Sequence, residues 1–151
     1  MARGVPRHIK GEKVRTALIA ARPNGLSAKR LADVSGLSMS QVRDGLIEIR
    51  EESALANGEP LTWSRDAGYR LSDTAEGVWT YTTKTADTSH TRLVRLMKGT
   101  VLPYSQREPD DVRMKIAVAQ FNAAVASLQM VVGEELIAMP SSRLKGQNVH
   151  R

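Results

Sequence analysis

Leu31-Ala32-Asp33-Val34-Ser35-Gly36-Leu37-Ser38-Met39-Ser40-Gln41-Val42-Arg43 decides the reading of this chain. It reads as two short helices joined by a tight turn. Ser27 is a good N-cap for the first, Ala28 to Val34, which is expected to bury Leu31, Ala32 and Val34. Gly36 permits the positive φ that the turn needs. Ser38 caps the second helix. It is predicted to run to about Glu52, with Val42, Leu46 and Ile49 facing inward at helical spacing.

Upstream, a helix is expected from about Gly11 to Arg22, with Val14, Ala17, Leu18 and Ala21 on one face. Pro23-Asn24-Gly25 stops it. Downstream, Asn57-Gly58-Glu59-Pro60 breaks the chain. Leu61-Thr62-Trp63-Ser64-Arg65 then alternates apolar and polar side chains, as a half-buried strand does. Asp66-Ala67-Gly68 is a hairpin loop, and Tyr69-Arg70-Leu71 returns as the partner strand. Two strands alone are marginal, so the hairpin is expected to pack on the helices through Trp63, Tyr69 and Leu71.

Beyond the hairpin, Asp73 and Glu76 have the spacing of a capping box. Helix is expected to about Lys98, although six Thr between Thr80 and Thr91 weaken it. Gly99 and Pro103 are expected to end that helix. Glu108-Pro109-Asp110-Asp111 opens a last one, with Pro and acids in its first turn, running to about Val132. The organisation predicted is a basic arm over 1–10, a helical domain with a hairpin over 11–72, a helical extension over 73–139 and a disordered basic tail over 140–151.

The chain has 151 residues, a formal charge of +6 and no cysteine. Disulfides and thiolate chemistry are thereby excluded, and a polyanionic partner fits the charge. Residues 1–70 hold 12 Lys and Arg against 8 Asp and Glu, so the basic bias lies with the paired short helices. The first ten residues lack the apolar stretch of a secretory signal. The uncharged run Ile116 to Gly133 contains Gln120, Asn122, Ser127 and Gln129. It reads as too polar and Ala-rich for a membrane span. A soluble protein of the cytoplasm, associated with the nucleoid, is the expectation.

A small residue, a glycine four later and an aliphatic six after that is the helix-turn-helix spacing, and Ala32, Gly36 and Val42 hold it. With the hairpin that follows, residues 11–71 resemble a winged helix-turn-helix DNA-binding domain. The combination Gly36-Leu37-Ser38, Gln41-Val42-Arg43, Gly45-Leu46 and Gly68-Tyr69-Arg70 also resembles RacP-type proteins of actinobacterial phages and mobile elements. Gly99-Thr100-Val101-Leu102-Pro103 extends that similarity. The fold expected is mainly α with a small β-hairpin, followed by the helical extension.

In that reading Ser40, Gln41, Arg43 and Asp44 face the major groove. Gln suits adenine and Arg suits guanine, each through two hydrogen bonds. Asp44 is expected to orient Arg43 or to accept from a cytosine amine. Ser38 and Ser40 suit phosphates, as do Lys29 and Arg30 at the start of the preceding helix. Arg65 and Arg70 flank the hairpin loop, where a wing reaches the minor groove. Arg3, Arg7 and Lys10, with His8, form a possible DNA-binding arm.

Ile116, Phe121, Val125, Leu128 and Val132 recur along a last helix too apolar to stand alone. A cover from the region of Leu93, Val94, Leu96 and Met97, a second subunit, or both is required, and a homodimer is expected. Trp79 and Tyr81 read as core packing rather than a ligand pocket. No cofactor, metal or small-molecule ligand is indicated. The three His are scattered, and Glu51-Glu52 and Asp110-Asp111 are adjacent on the chain and so do not face each other on a helix. An enzyme is not expected. The functional expectation is a dimeric, sequence-specific duplex DNA-binding regulator, a repressor of a phage or mobile element. An accessory replication, partition or architectural factor is the alternative within DNA binding. A winged-helix module that binds protein is the alternative outside it.

Overall fold

The computed structural model describes residues 4–138. It is mainly helical with one two-stranded antiparallel sheet. The chain divides into two units, Met1–Tyr81 and Thr82–Arg151.

The first unit opens with α1 (Arg7–Ala20), α2 (Ala28–Ser35) and α3 (Met39–Glu48). A π turn over Ile49–Ser53 carries α3 into the short α4 (Ala54–Asn57). The caps are those the sequence predicts. Ser27 Oγ accepts from the Arg30 amide at 3.3 Å. Ser38 Oγ accepts from the Gln41 amide at 3.3 Å, and Gln41 Oε1 accepts from the Ser38 amide at 2.9 Å. Gly36 ends α2 with φ 65°. Val14, Leu18, Leu31, Val42, Ile49 and Leu71 form the sealed core, joined by Leu46. Each such side chain contributes roughly 1.5–3 kcal/mol of burial. The crossing of α1 on α3 is close because both helices present glycine there. A methyl group on Gly45 would come within 2.8 Å of the Lys10 carbonyl oxygen, and one on Gly11 would strike the Glu48 carboxylate.

Several local expectations are corrected here. Helix α1 begins at Arg7, so residues 7–10 are helical rather than part of a flexible basic arm. Val34 is 60% exposed. The eight-residue α2 buries Leu31 alone, and Val34 lies outside that line. The hairpin pairs β1 (Leu61–Ser64) with β2 (Gly68–Leu71) in the register Leu61↔Leu71 and Trp63↔Tyr69. Leu71 is in the core, and Leu61 and Tyr69 pack against it. Trp63 does not complete that face; it is 48% exposed although Tyr69 directly opposite it packs on the core, because β2 lies between β1 and the Leu26 segment and leaves β1 on the outside.

The hairpin is fixed by a contact the sequence did not suggest. Leu26 and Tyr69 exchange both backbone hydrogen bonds, at 2.8 and 2.9 Å, so the segment before α2 adds a one-residue third strand. Gly68 makes this possible. It has φ 74°, and a side chain there would come within 2.5 Å of the Leu26 carbonyl oxygen.

Helix α5 (Ala75–Leu96) is capped by Thr74, not by Asp73: Thr74 Oγ1 accepts from the Gly77 amide at 3.2 Å. From Thr82 onward the helix belongs to the second unit. Its hydroxyl-rich stretch stays helical. Thr88 and Ser89 donate to the Lys84 and Thr85 carbonyls, each at 2.9 Å, within the helix's own turns.

Gly99 and Pro103 do not end the helical run. A π turn over Met97–Val101 leads into α6 (Leu102–Arg107), where Pro103 lies in the first turn and needs no amide donor. The run ends at Glu108, φ −121°. Asp111 Oδ1 then accepts from the Arg113 and Met114 amides at 2.9 and 3.4 Å, opening α7 (Val112–Ala138). The acids therefore precede the first turn of α7 instead of occupying it. Among the described residues of this unit the buried apolar side chains are Ala86, Met97 and Val101, and α7 packs on the second π turn and α6. Of the cover expected for α7, Met97 is buried, Leu93 and Val94 are half-buried, and Leu96 is exposed. The tail over 140–151 lies outside the described residues.

Candidate nucleic-acid interface

Burying Val42, Leu46 and Ile49 turns the opposite side of α3, and of the π turn that continues it, to solvent. Ser40, Arg43, Ile47 and Arg50 are exposed there at spacings of three and four, forming one stripe. Ile47 and Arg50 extend the expected contact face by more than one turn. The same helical spacing that turns Val42, Leu46 and Ile49 inward turns these two outward. Arg43 makes no ion pair among the described residues. Arg50 lies over the Tyr69 ring, 5.7 Å from its centroid, and so joins the stripe to the hairpin.

Two expected contact residues are engaged within the protein. Gln41 Oε1 is held by the cap, leaving its amide nitrogen as the free end. Asp44 does not orient Arg43; Lys10 Nζ reaches it at 2.6 Å. That pair links α1 to α3 and neutralises the carboxylate that would repel phosphate. Arg7 pairs with Glu51 and links α1 to the first π turn; this contact raises the already high pKa of its guanidinium. Lys10 and Arg7 thus act as helix ties rather than as a loose arm, and His8 is exposed on α1. Arg3 lies outside the described residues.

Lys29 and Arg30 are exposed in the first turn of α2, beside the Ser27 cap. Ser38 and Ser40 are exposed at the start of α3. Arg65 is exposed in the hairpin loop. Arg70 is not at the tip. It is half-buried, and its guanidinium would lie 3.1 Å from a methyl group on Gly77 in the first turn of α5.

A separate charge cluster ties α1 to the segment before β1. Glu59 accepts from Arg15 Nε at 2.6 Å and lies 3.6 Å from Arg22. The Arg15 hydrogen bond, with the nearby Arg22 charge, holds the Glu59 carboxyl below the usual glutamate range. No group of His, Asp or Glu suited to a metal ion occurs among the described residues. Trp79 lines an open hollow of about 470 Å³ with Pro60, Thr74 and Val78; Tyr81 does not line it.

On α7, Ile116 is 58% exposed, while Phe121, Val125, Leu128 and Val132 are half-buried. None of the side chains from Val112 to Gly133 is fully buried. By length and composition this helix could cross a membrane. No family model, curated protein or solved structure matches this chain.

Proposed function

We propose that the chain is a winged helix-turn-helix protein that binds duplex DNA in a sequence-specific manner. In this reading it acts as a dimeric regulator of transcription, repressing by occupying its site. The observation that carries the reading is the exposed stripe Ser40, Arg43, Ile47 and Arg50 on the helix that follows the Gly36 turn. A helix in the major groove presents such a stripe to base edges. The side chains have the matching chemistry. Arg43 can donate twice to guanine, Ile47 suits a thymine methyl, and Arg50, Lys29, Arg30 and Arg65 suit phosphates.

Self-association through α7 completes the proposal. Its apolar side chains are only partly covered, and a two-fold dimer predicts a palindromic site. Gln120, Asn122 and Gln129 are exposed along the same helix, which favours a protein partner in water over lipid.

Gel shifts on random-sequence duplex, followed by selection of bound sites, test the reading. Binding should weaken steeply with salt. Arg43→Ala should cost about 1–3 kcal/mol and relax one position of the selected site. Absent binding at low salt, or binding indifferent to salt, would reject the reading. An unchanged site preference in Arg43→Ala would remove that residue from the site.

A further inference from the structure

The geometry points to Trp63 as a duplex DNA contact, its indole lying on deoxyribose and base-edge surface between phosphates; we propose this role, which rests on the DNA-binding reading above. Trp63 is on the sheet face that carries Leu61, Tyr69 and Leu71, yet it is 48% exposed while those three pack on the core. A single exposed aromatic means little by itself. Its surroundings give it meaning. Across the strands it pairs with Tyr69, whose ring is covered by Arg50, the last residue of the α3 stripe. On the other side, two residues along the chain, is the exposed Arg65. Along the hairpin Trp63 thus lies between two cation-bearing positions, Arg50 over its cross-strand partner and Arg65 in the loop. Asp66 is the exposed acid beside it.

Charge selects the occupant. A second copy of this chain would bring the same arginines face to face. A nucleic-acid backbone alternates anionic phosphates with apolar sugar faces, matching an aromatic ring between two cation-bearing positions. The two kinds of contact have separable signatures. Each phosphate neutralised by an arginine releases counterions and steepens the salt dependence. An indole on a sugar or base releases none, so its contribution persists as salt rises.

The chain has two tryptophans, so Trp79→Phe leaves Trp63 as the sole indole emitter. Titration of that variant with a random-sequence duplex of about 30 base pairs, at low salt, should change its emission and reduce acrylamide quenching. In the otherwise unaltered chain, Trp63→Ala should weaken duplex binding roughly 5- to 100-fold and leave the slope of log K against log salt unchanged. Arg65→Ala should reduce that slope by about 0.9. Trp63→Thr, suited to an exposed strand position, repeats the affinity measurement if the alanine variant melts early.

Duplex binding by anisotropy with unchanged Trp63 emission and quenching would overturn the role of Trp63 and leave DNA binding standing. So would wild-type affinity in Trp63→Ala. Shielding of the indole by raised protein concentration without DNA would show that a second copy covers it, and would also overturn the proposal. Absence of duplex binding altogether would sink both this inference and the functional reading.

Discussion

In the first unit Val14, Leu18, Leu31, Val42 and Ile49 are wholly sealed from water, and three helices and a hairpin close around them. In the second, α7 is longer than any helix of the first, yet none of its side chains from Val112 to Gly133 is fully buried. The contrast is one of geometry. Short helices that meet through glycines, as α1 and α3 do, can converge on one small core. A long apolar helix exposes more surface than one turn and a six-residue helix can cover. The first unit therefore closes around its own core, whereas the second leaves its longest helix only partly covered.

Core truncation is the strongest way to break this comparison. Leu31→Ala should destabilise the first unit by about 2–5 kcal/mol, measured by urea unfolding followed through tryptophan emission. A loss below about 1 kcal/mol would mean that the core is not sealed as described. Gly45→Ala comes next. Its added methyl group meets the Lys10 carbonyl and Val14, and should cost about 1–3 kcal/mol through overpacking. An unchanged midpoint would show that α1 and α3 can part freely.

Glu59→Gln should cost somewhat less, about 1–2 kcal/mol, because it weakens a charge-assisted hydrogen bond at a partly shielded site. Its pH dependence has a definite sign. Folded Glu59 binds its proton less tightly than the unfolded chain does. The stabilisation is complete above the ordinary glutamate pKa of about 4.3 and is lost as pH falls through the lowered folded value. Wild type and Glu59→Gln should therefore converge in stability as acid is added; a gap that persisted at low pH would remove the ionised pair as its cause. The smallest effect on the first unit is expected from Phe121→Glu, within about 0.5 kcal/mol. The same change should abolish self-association in sedimentation. Identical masses for the two proteins would remove α7 as the dimer surface.

The local parts of the structure were legible in the sequence. Ser27, Gly36 and Ser38 act within a few residues of themselves, and the 3.6-residue period placed Val42, Leu46 and Ile49 correctly. What could not be read involves distant partners. Lys10 and Asp44 belong to different helices, so the local pattern around Arg43 could not reveal that Asp44 was taken. Alternation put Trp63 on the inner face of its strand but could not say where the covering core stops. Pro103 looked like a terminator because the π turn that carries the helix past Gly99 leaves no mark in hydrophobic period. Of the proposed contact face, Ser40 and Arg43 were legible from the helix start. Ile47 and Arg50 follow from the same period, because Val42, Leu46 and Ile49 define the buried side of the longer helix.

The two-way exchange between Leu26 and Tyr69 also has a consequence for local opening. The Leu26 amide lies in the irregular segment before α2, and the Tyr69 amide faces the edge of β2 away from β1, both places where hydrogen exchange with solvent is ordinarily fast. Each is nevertheless satisfied by the other's carbonyl, and Tyr69 packs on the core. Neither can be released without lifting the hairpin from the segment that precedes α2. Their protection should thus match that of Val42 and Leu46 rather than that of the neighbouring Asn24 and Ala67, making a short irregular segment part of the slowest-exchanging unit.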